Sequence, residues 1–364
     1  MKKQNKILTI LAIETSCDET SAAVIKVNED IFEVAANVVS SQIDIHKAYG
    51  GVVPEVAARE HVKNIIPVII ESLEKAGVTS KDIDLIAVTA GPGLITSLIV
   101  GVESAKSLGV AWNKPVMPIN HIYAHLAVNF LYFNLPPAPS FKPGRGNSRF
   151  PVMALIVSGG HTELVLVEDY NKFKKIGQTV DDAAGEAFDK VAKLLNLGYP
   201  GGPIVASEAT KISNLKFKIS NLSLPRPMID SGDFNFSFSG LKTAVLYAVQ
   251  KMTKQAIKKR TPEICHEFQA AVVEVLVRKT IKAASRFSAK TIFLAGGVAA
   301  NKKLRQELES AARIQNLEFF VPQFQYCTDN AAMIGLAAYY LTQEKMPALD
   351  NWQNIKADPN WELE

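Results

Sequence analysis

The stretch V-M-A-L-I-V-S-G-G-H-T-E-L-V-L-V, running from Val152 to Val167, reads as two apolar strands, Val152–Val157 and Glu163–Val167, joined by a turn with paired glycines. A third β-branched-rich run, Phe173–Val180, follows, and then a helical pattern over Asp182–Leu195. The same order already stands at the other end of the chain. Ile7–Ile13 is a continuous apolar run, Ala22–Val27 and Phe32–Ser40 are strand-like, and Pro54–Ala76 carries apolar residues at helical spacing. Proline stands near the start of that helix and Gly77 just past its end, as helix termini prefer.

Both halves continue alike. In the first come strand Asp84–Ala90, helix Leu94–Ala111, strand Val116–Ile119 and a helix opening at His121. In the second come helices Gly240–Gln255 and Glu263–Ser285, strand Thr291–Ala295, helix Asn301–Ile314, strand Glu318–Val321 and helix Asn330–Thr342. A pattern met twice constrains the fold more than any single element. It predicts an α/β protein of two duplicated actin-like, RNase H-like lobes facing a nucleotide cleft, as in the sugar kinase, Hsp70 and actin superfamily. The expected division is an N-terminal lobe over residues 1–133, a linker at 134–150 and a C-terminal lobe at 151–329 with an insertion at 198–238. A terminal segment, 330–364, would pack back toward the first lobe. The linker, with four prolines and two glycines between Asn134 and Arg149, has no periodicity.

The 364 residues, 48% hydrophobic and 21% charged, are ordinary for a globular protein with a sizeable core. A net charge of +4 permits an anionic partner without requiring one. Cys17, Cys265 and Cys327 are too widely spaced for a disulfide framework or a metal knuckle, which favours a reducing compartment. Ile7–Ile13 lacks the cleavage site of a signal sequence and runs straight into Glu14, Asp18 and Glu19. No apolar run has the length to cross a membrane. The reading is cytoplasmic.

Three turns suit a nucleotide. Ile13–Thr20 brings hydroxyls and carboxylates between the first two strands. Val157–Thr162 is its counterpart in the second half, and its glycines let the backbone approach a phosphate. At Leu294–Asn301 a strand ends in two glycines and opens a helix, whose N-terminus favours an anion or the edge of an adenosine. Gly91-Pro92-Gly93 lacks the third glycine of a dinucleotide fingerprint and reads as a structural turn.

His121-Ile122-Tyr123-Ala124-His125 places two imidazoles on one helix face. Zinc peptidases use H-E-x-x-H, but here the position after the first histidine is Ile122. A third ligand is needed, and Asp329, in the turn before the last helix of the second lobe, is the candidate. The spacing leaves two readings open: ligands of one ion between the lobes, or histidines that cap and pack a helix. His161 adjoins the Gly-Gly turn, whereas His46, His61 and His266 read as ordinary polar positions.

Together these stretches resemble the tRNA N6-adenosine threonylcarbamoyltransferase family, TsaD in bacteria. The likeness runs through I-E-T-S-C-D-E-T (13–20), Y-G-G-V-V-P-E-V-A-A-R-E-H (49–61), T-A-G-P-G-L (89–94), H-I-Y-A-H (121–125) and V-S-G-G-H-T-E-L (157–164). It continues through D-D-A-A-G-E-A-F-D-K-V-A-K (181–193), Y-P-G-G-P (199–203), F-S-F-S-G-L-K-T (236–243), A-G-G-V-A-A-N (295–301) and C-T-D-N-A-A-M-I (327–334). The resemblance implies transfer of a threonylcarbamoyl group from threonylcarbamoyl-AMP to N6 of an adenine beside the anticodon, in tRNAs reading codons that begin with A. It implies that His121, His125 and Asp329 hold one divalent ion per subunit, Fe(2+) or Zn(2+). Ile156, Val157, Ser158, Gly159, Gly160, Asp189, Gly202 and Asn301 would line the adenylate site. The implied partners are a TsaB-like paralogue and a TsaE-like ATPase in the bacterial arrangement, or a second copy in a homodimer.

Acyl transfer to an amine needs no hydrolytic base beside the ion, which makes sense of Ile122. A carboxylate to take the amine proton is Asp18, with Glu19 second. Lys142, Arg145 and Arg149 in the linker, and Lys254, Lys258, Lys259 and Arg260, are candidate tRNA phosphate contacts. The competing readings are a metallopeptidase and an actin-like ATPase scaffold.

Overall fold

The structure, a computed structural model, describes residues 7–28, 31–133, 149–214 and 222–363. Residues 134–148, with Lys142 and Arg145, lie outside the described residues, as does 215–221 of the expected insertion.

The chain divides into two compact units, residues 1–135 with 328–363, and residues 136–327. In the first, β1 (Leu8–Glu14), β2 (Glu19–Asn28) and β3 (Ile31–Ser41) lead through the short α1 (Ile43–Lys47) to α2 (Pro54–Ala76). Then come β4 (Leu85–Gly91), α3 (Ile95–Trp112), β5 (Val116–Asn120) and α4 (His121–Phe133). The strand order is β3-β2-β1-β4-β5. β1 pairs antiparallel with β2 and parallel with β4, and β4 pairs parallel with β5. Helices cover both faces at the centre, so β1 and β4 are buried nearly end to end and read as unbroken apolar runs.

The second unit repeats the plan. β6 (Val152–Val157), β7 (Thr162–Asp169) and β8 (Lys172–Gln178) precede α5 (Ala184–Leu194), α6 (Gly201–Thr210), α7 (Ser239–Gln250) and α8 (Lys254–Arg286). β9 (Thr291–Ala295), α9 (Lys302–Ile314) and β10 (Glu318–Phe320) complete it, with strand order β10-β9-β6-β7-β8. Read from the antiparallel edge, both sheets have the same order and the same parallel and antiparallel pairings. The duplication is real.

Four departures have physical causes. The expected insertion at 198–238 contains α6, which starts where Asp189 Oδ1 accepts the N–H of Gly201. The expected break before Glu263 is absent. α8 begins at Lys254, capped by Thr253, and runs through Pro262 while the Thr261 hydroxyl donates to the carbonyl of Ile257. α1 was hidden by its shortness. The last helix, α10 (Ala331–Thr342), belongs to the first unit together with Asp329, which the sequence assigned to the second lobe. Its first turn explains the placement: Asn330 caps Met333, the Ser21 hydroxyl accepts from the Ala331 N–H, and Asn37 Oδ1 accepts from Ala332.

Candidate functional site

β5 passes into α4 without a loop. Asn120 makes this possible, because its Oδ1 accepts the N–H groups of Ile122 and Tyr123 at 2.9 and 3.1 Å, two of the donors a helix start leaves unpaired. Its Nδ2 donates to the carbonyl of Trp361, 3.1 Å away in the C-terminal segment. The cap thus sets the direction of His121 and, one turn on, His125.

Both imidazoles are buried, their ring centroids 4.6 Å apart. Asp329 Oδ1 stands 3.5 Å from Nε2 of His121 and 3.2 Å from Nε2 of His125. One ligand atom from each of the three residues lies within 4.8 Å of the others. Nδ1 of His125 forms no hydrogen bond among the described residues, and Nε2 faces only the Asp329 carboxylate. A buried imidazole left so is costly unless something else takes its lone pair. Two imidazoles and a carboxylate are a donor set for iron or zinc, so the trio fits a divalent ion.

Glu14, at the end of β1, supports the pair from behind and was not found by sequence reasoning. Fully buried, it accepts from the Ser16 N–H and from the Thr89 hydroxyl, the latter at 2.6 Å, and its Oε2 lies 3.2 Å from Nδ1 of His121. The available signal was a lone carboxylate closing an apolar run. The Ser16 hydroxyl lies 3.2 Å from the same nitrogen.

Charge follows geometry. Burial pulls His121 down, but the carboxylates of Asp329 and Glu14 outweigh it and carry its pKa to about 9. Burial holds His125 low against the opposing pull of Asp329. The more strongly held titrating proton of the pair therefore sits on His121. Burial, then the neighbouring Asp18 and Asp329, push Glu19 well above the usual carboxylate range, and burial with Asp18 pushes the Cys17 thiol up. Asp18 is buried and Glu19 half-buried, its carboxylate receiving the Ser41 hydroxyl.

The expected adenylate residues all lie in the second unit. Ile156 and Val157 are buried in β6, so only their backbone can face a ligand. Ser158 closes the hairpin by exchanging bonds with His161. The N–H of Gly185, in the first turn of α5, donates to the Ser158 carbonyl. α5 then carries Asp189, which caps α6 beside Gly202. Gly296 takes φ +85° beside Val157, and Asn301 caps α9 while donating to Gln269. These stretches form one contiguous set, and the structure groups the trio with the Asp18–Glu19 turn as another.

The other candidate residues are placed as follows. Arg149 pairs with Glu318 at 3.0 Å and lies over the Phe320 ring, so it is engaged within its own unit. His46 and His61 are fully buried and hydrogen-bonded, not ordinary polar positions, while His266 is half-buried. Lys254, Lys258 and Lys259 are exposed on the first turns of α8, and Arg260 pairs with Glu263.

The sequence profile of a family described as tRNA N6-adenosine threonylcarbamoyltransferase, TsaD, matches residues 33–336. A protein of that name from Thermosipho africanus is 46% identical over 98% of this chain and 100% of its own length. One from Staphylococcus aureus is 46% identical, covering 93% of each. Among solved structures, HypF from T. kodakarensis superposes with TM-score 0.59 at 14% identity, over 96% of this chain and 50% of that one. Component A of (R)-2-hydroxyglutaryl-CoA dehydratase from Acidaminococcus fermentans gives 0.51 at 16%, over 93% and 100%. Those two likenesses concern the fold.

Proposed function

The chain belongs to the TsaD family of tRNA N6-adenosine threonylcarbamoyltransferases, and on that premise we propose that it takes threonylcarbamoyl-AMP as donor and an adenine beside the tRNA anticodon as acceptor, in tRNAs reading codons that begin with A. The bond between the carbamoyl carbon and the phosphate oxygen breaks, a bond to N6 forms, the amine proton passes to a carboxylate and AMP leaves. The observation that carries this reading is the convergence of the buried His121 and His125 with the half-buried Asp329 beside the Asp18–Glu19 turn.

In this reading His121, His125 and Asp329 hold one divalent ion, Fe(2+) or Zn(2+), for both of which two histidines and a carboxylate are a known ligand set. When bound, such an ion supplies Lewis-acid stabilisation of charge growing on the carbamoyl oxygen. Glu14 fixes the His121 tautomer from the Nδ1 side. Burial and the neighbouring Asp18 push Glu19 above the usual carboxylate range, and Asp18, in the same turn, is the carboxylate proposed to accept the proton of the weakly basic amine. The open backbone at Gly159 and Gly160 serves phosphate, and Asp189, Gly202 and Asn301 serve the remainder of the adenylate.

Hydrolysis would waste the donor, and two features oppose it. Ile122 is buried where a zinc peptidase carries its base. Both oxygens of Glu14 are engaged with Ser16, Thr89 and His121, so it activates no water. The partners are tRNA, a TsaB-like paralogue and a TsaE-like ATPase, with a homodimer as the other arrangement. No helix among the described residues is long and apolar enough to cross a membrane, and the three cysteines are free, which supports a cytoplasmic reaction.

The test is reconstitution with tRNA, threonylcarbamoyl-AMP and the partner proteins, with the modified nucleoside read by mass spectrometry. His121→Ala and Asp329→Ala should abolish it. Chelator-sensitive release of peptide by the purified protein, with no modified nucleoside, would replace transfer with the peptidase reading.

A further inference from the structure

One imidazole holds the hairpin of Asp18 and Glu19 from outside. His61 stands on α2, fully buried, and reaches the hairpin with both ring nitrogens. Its Nε2 lies 3.0 Å from the carbonyl oxygen of Cys17. A carbonyl only accepts, so Nε2 carries the proton. Nδ1 is then an acceptor, and the Thr20 hydroxyl, 2.8 Å away, donates to it. The ring therefore grips the chain at the residue before Asp18 and at the residue after Glu19. Burial lowers the pKa of His61, consistent with the neutral form that this pattern requires.

The segment ahead of His61 is built to brace this contact. The backbone N–H of Gln42 donates to the Asp18 carbonyl at 3.0 Å, and the Gln42 side chain bonds His46 and the Ala57 carbonyl. His46, also fully buried, accepts from the Val53 N–H one residue before α2 begins. On the far side, Leu94 N–H donates to the Ser16 carbonyl and the Ser97 hydroxyl to that of Cys17. Among the described residues His61 is the side chain bonded on both flanks of the two carboxylates. Two imidazoles buried within one short segment are costly in an apolar core unless their polarity is used.

We propose that His61 is a positioning residue of the transfer site, fixing through Cys17 and Thr20 the direction in which Asp18 and Glu19 point. The proposal rests on the reading of that turn as the proton-accepting part of the site.

The test uses the metal-loaded complex and four variants. His61→Phe keeps a ring without nitrogens, His61→Gln keeps a donor toward the Cys17 carbonyl, Thr20→Val removes only the hydroxyl, and Asp18→Asn tests the premise. Single-turnover transfer, adenylate affinity and bound metal are measured on each. His61→Phe should slow transfer about 100-fold and Thr20→Val about 10-fold, with adenylate affinity and metal content within about 2-fold of the parent. His61→Gln should recover about 10-fold of the loss. A rate in folded His61→Phe equal to the parent's overturns the proposal. So does a parallel fall in adenylate affinity and metal content that glutamine does not relieve, since that is what a purely structural histidine gives. Where His61→Phe does not melt cooperatively, Thr20→Val decides alone, and an unchanged rate overturns the clamp. If Asp18→Asn keeps full transfer, the premise falls and the clamp with it. If Asp18→Asn abolishes transfer while His61→Phe and Thr20→Val do not, the clamp alone falls.

Discussion

Glu14 and His121 form a buried carboxylate–imidazole pair, Oε2 lying 3.2 Å from Nδ1, while Asp329 faces the other ring nitrogen. The carboxylate receives the Nδ1 proton, so Nε2, on the side of Asp329, is the nitrogen that gives up its proton to coordinate an ion. Such support is worth about 10- to 100-fold in metal affinity. Glu14→Gln should lower affinity for added Fe(2+) or Zn(2+) by that amount in a competitive chelator titration. Unchanged affinity in the glutamine variant would show that the pair only fills space.

The titration of His121 predicts how metal binding depends on pH. Without metal, its pKa is raised from 6.5 to about 9. The folded value exceeds the unfolded one, so the proton's contribution to stability is fully present below pH 6.5 and is lost as pH rises through about 9. A metal ion displaces that proton, so affinity should strengthen between pH 7 and 9, with about one proton released per ion. Dissociation constants measured across this range by calorimetry in two buffers would give the slope; a flat profile would contradict the assignment.

Glycines of the second unit separate fold from ligand binding. A Cβ on Gly296 would stand 2.5 Å from the Val157 carbonyl oxygen, at φ +85°, whereas one on Gly202 meets nothing within 4 Å. Gly296→Ala should destabilise the protein by about 1–3 kcal/mol. Gly202→Ala should leave the melting temperature unchanged and weaken adenylate binding. Normal adenylate affinity in Gly202→Ala would remove that residue from the site.

Asn120→Ala removes the cap of α4 and the tie to Trp361 together. The expected cost is about 1 kcal/mol from the cap. Because His121 follows the cap directly, metal affinity should fall by more than the stability loss alone implies. Thermal melts with and without added metal separate the two: if metal stabilises parent and variant equally, the cap does not position the histidines.

Much of this arrangement was legible in the residues. The repeated strand order was readable because β1, β4, β6 and β9 are covered on both faces and so carry continuous apolar runs. Two ligands were readable because four residues make one helical turn. Glu14 was not, since a buried carboxylate looks like any other strand-end residue until its partners, 75 and 107 positions away, are known. His61 was missed for the same reason: its partners lie 41 and 44 positions back. The extent of α8 was misjudged because Pro262 interrupts the pattern locally, while packing of the residues on either side carries the helix through.

The first unit is discontinuous, interrupted after residue 135 and resumed at Thr328. A ribosome therefore releases the second unit whole before it has finished the first. The early sheet, β3-β2-β1-β4-β5, must wait with one face lacking α10 until the last part of the chain emerges. His121 and His125 wait as well for Asp329, so the nascent chain has two of the proposed ligands and no third until Thr328 and Asp329 have followed the second unit. Capture of the proposed metal by the full trio thus follows completion of the second unit, and a chain truncated before Thr328 would carry that unit whole and the proposed site without its third ligand.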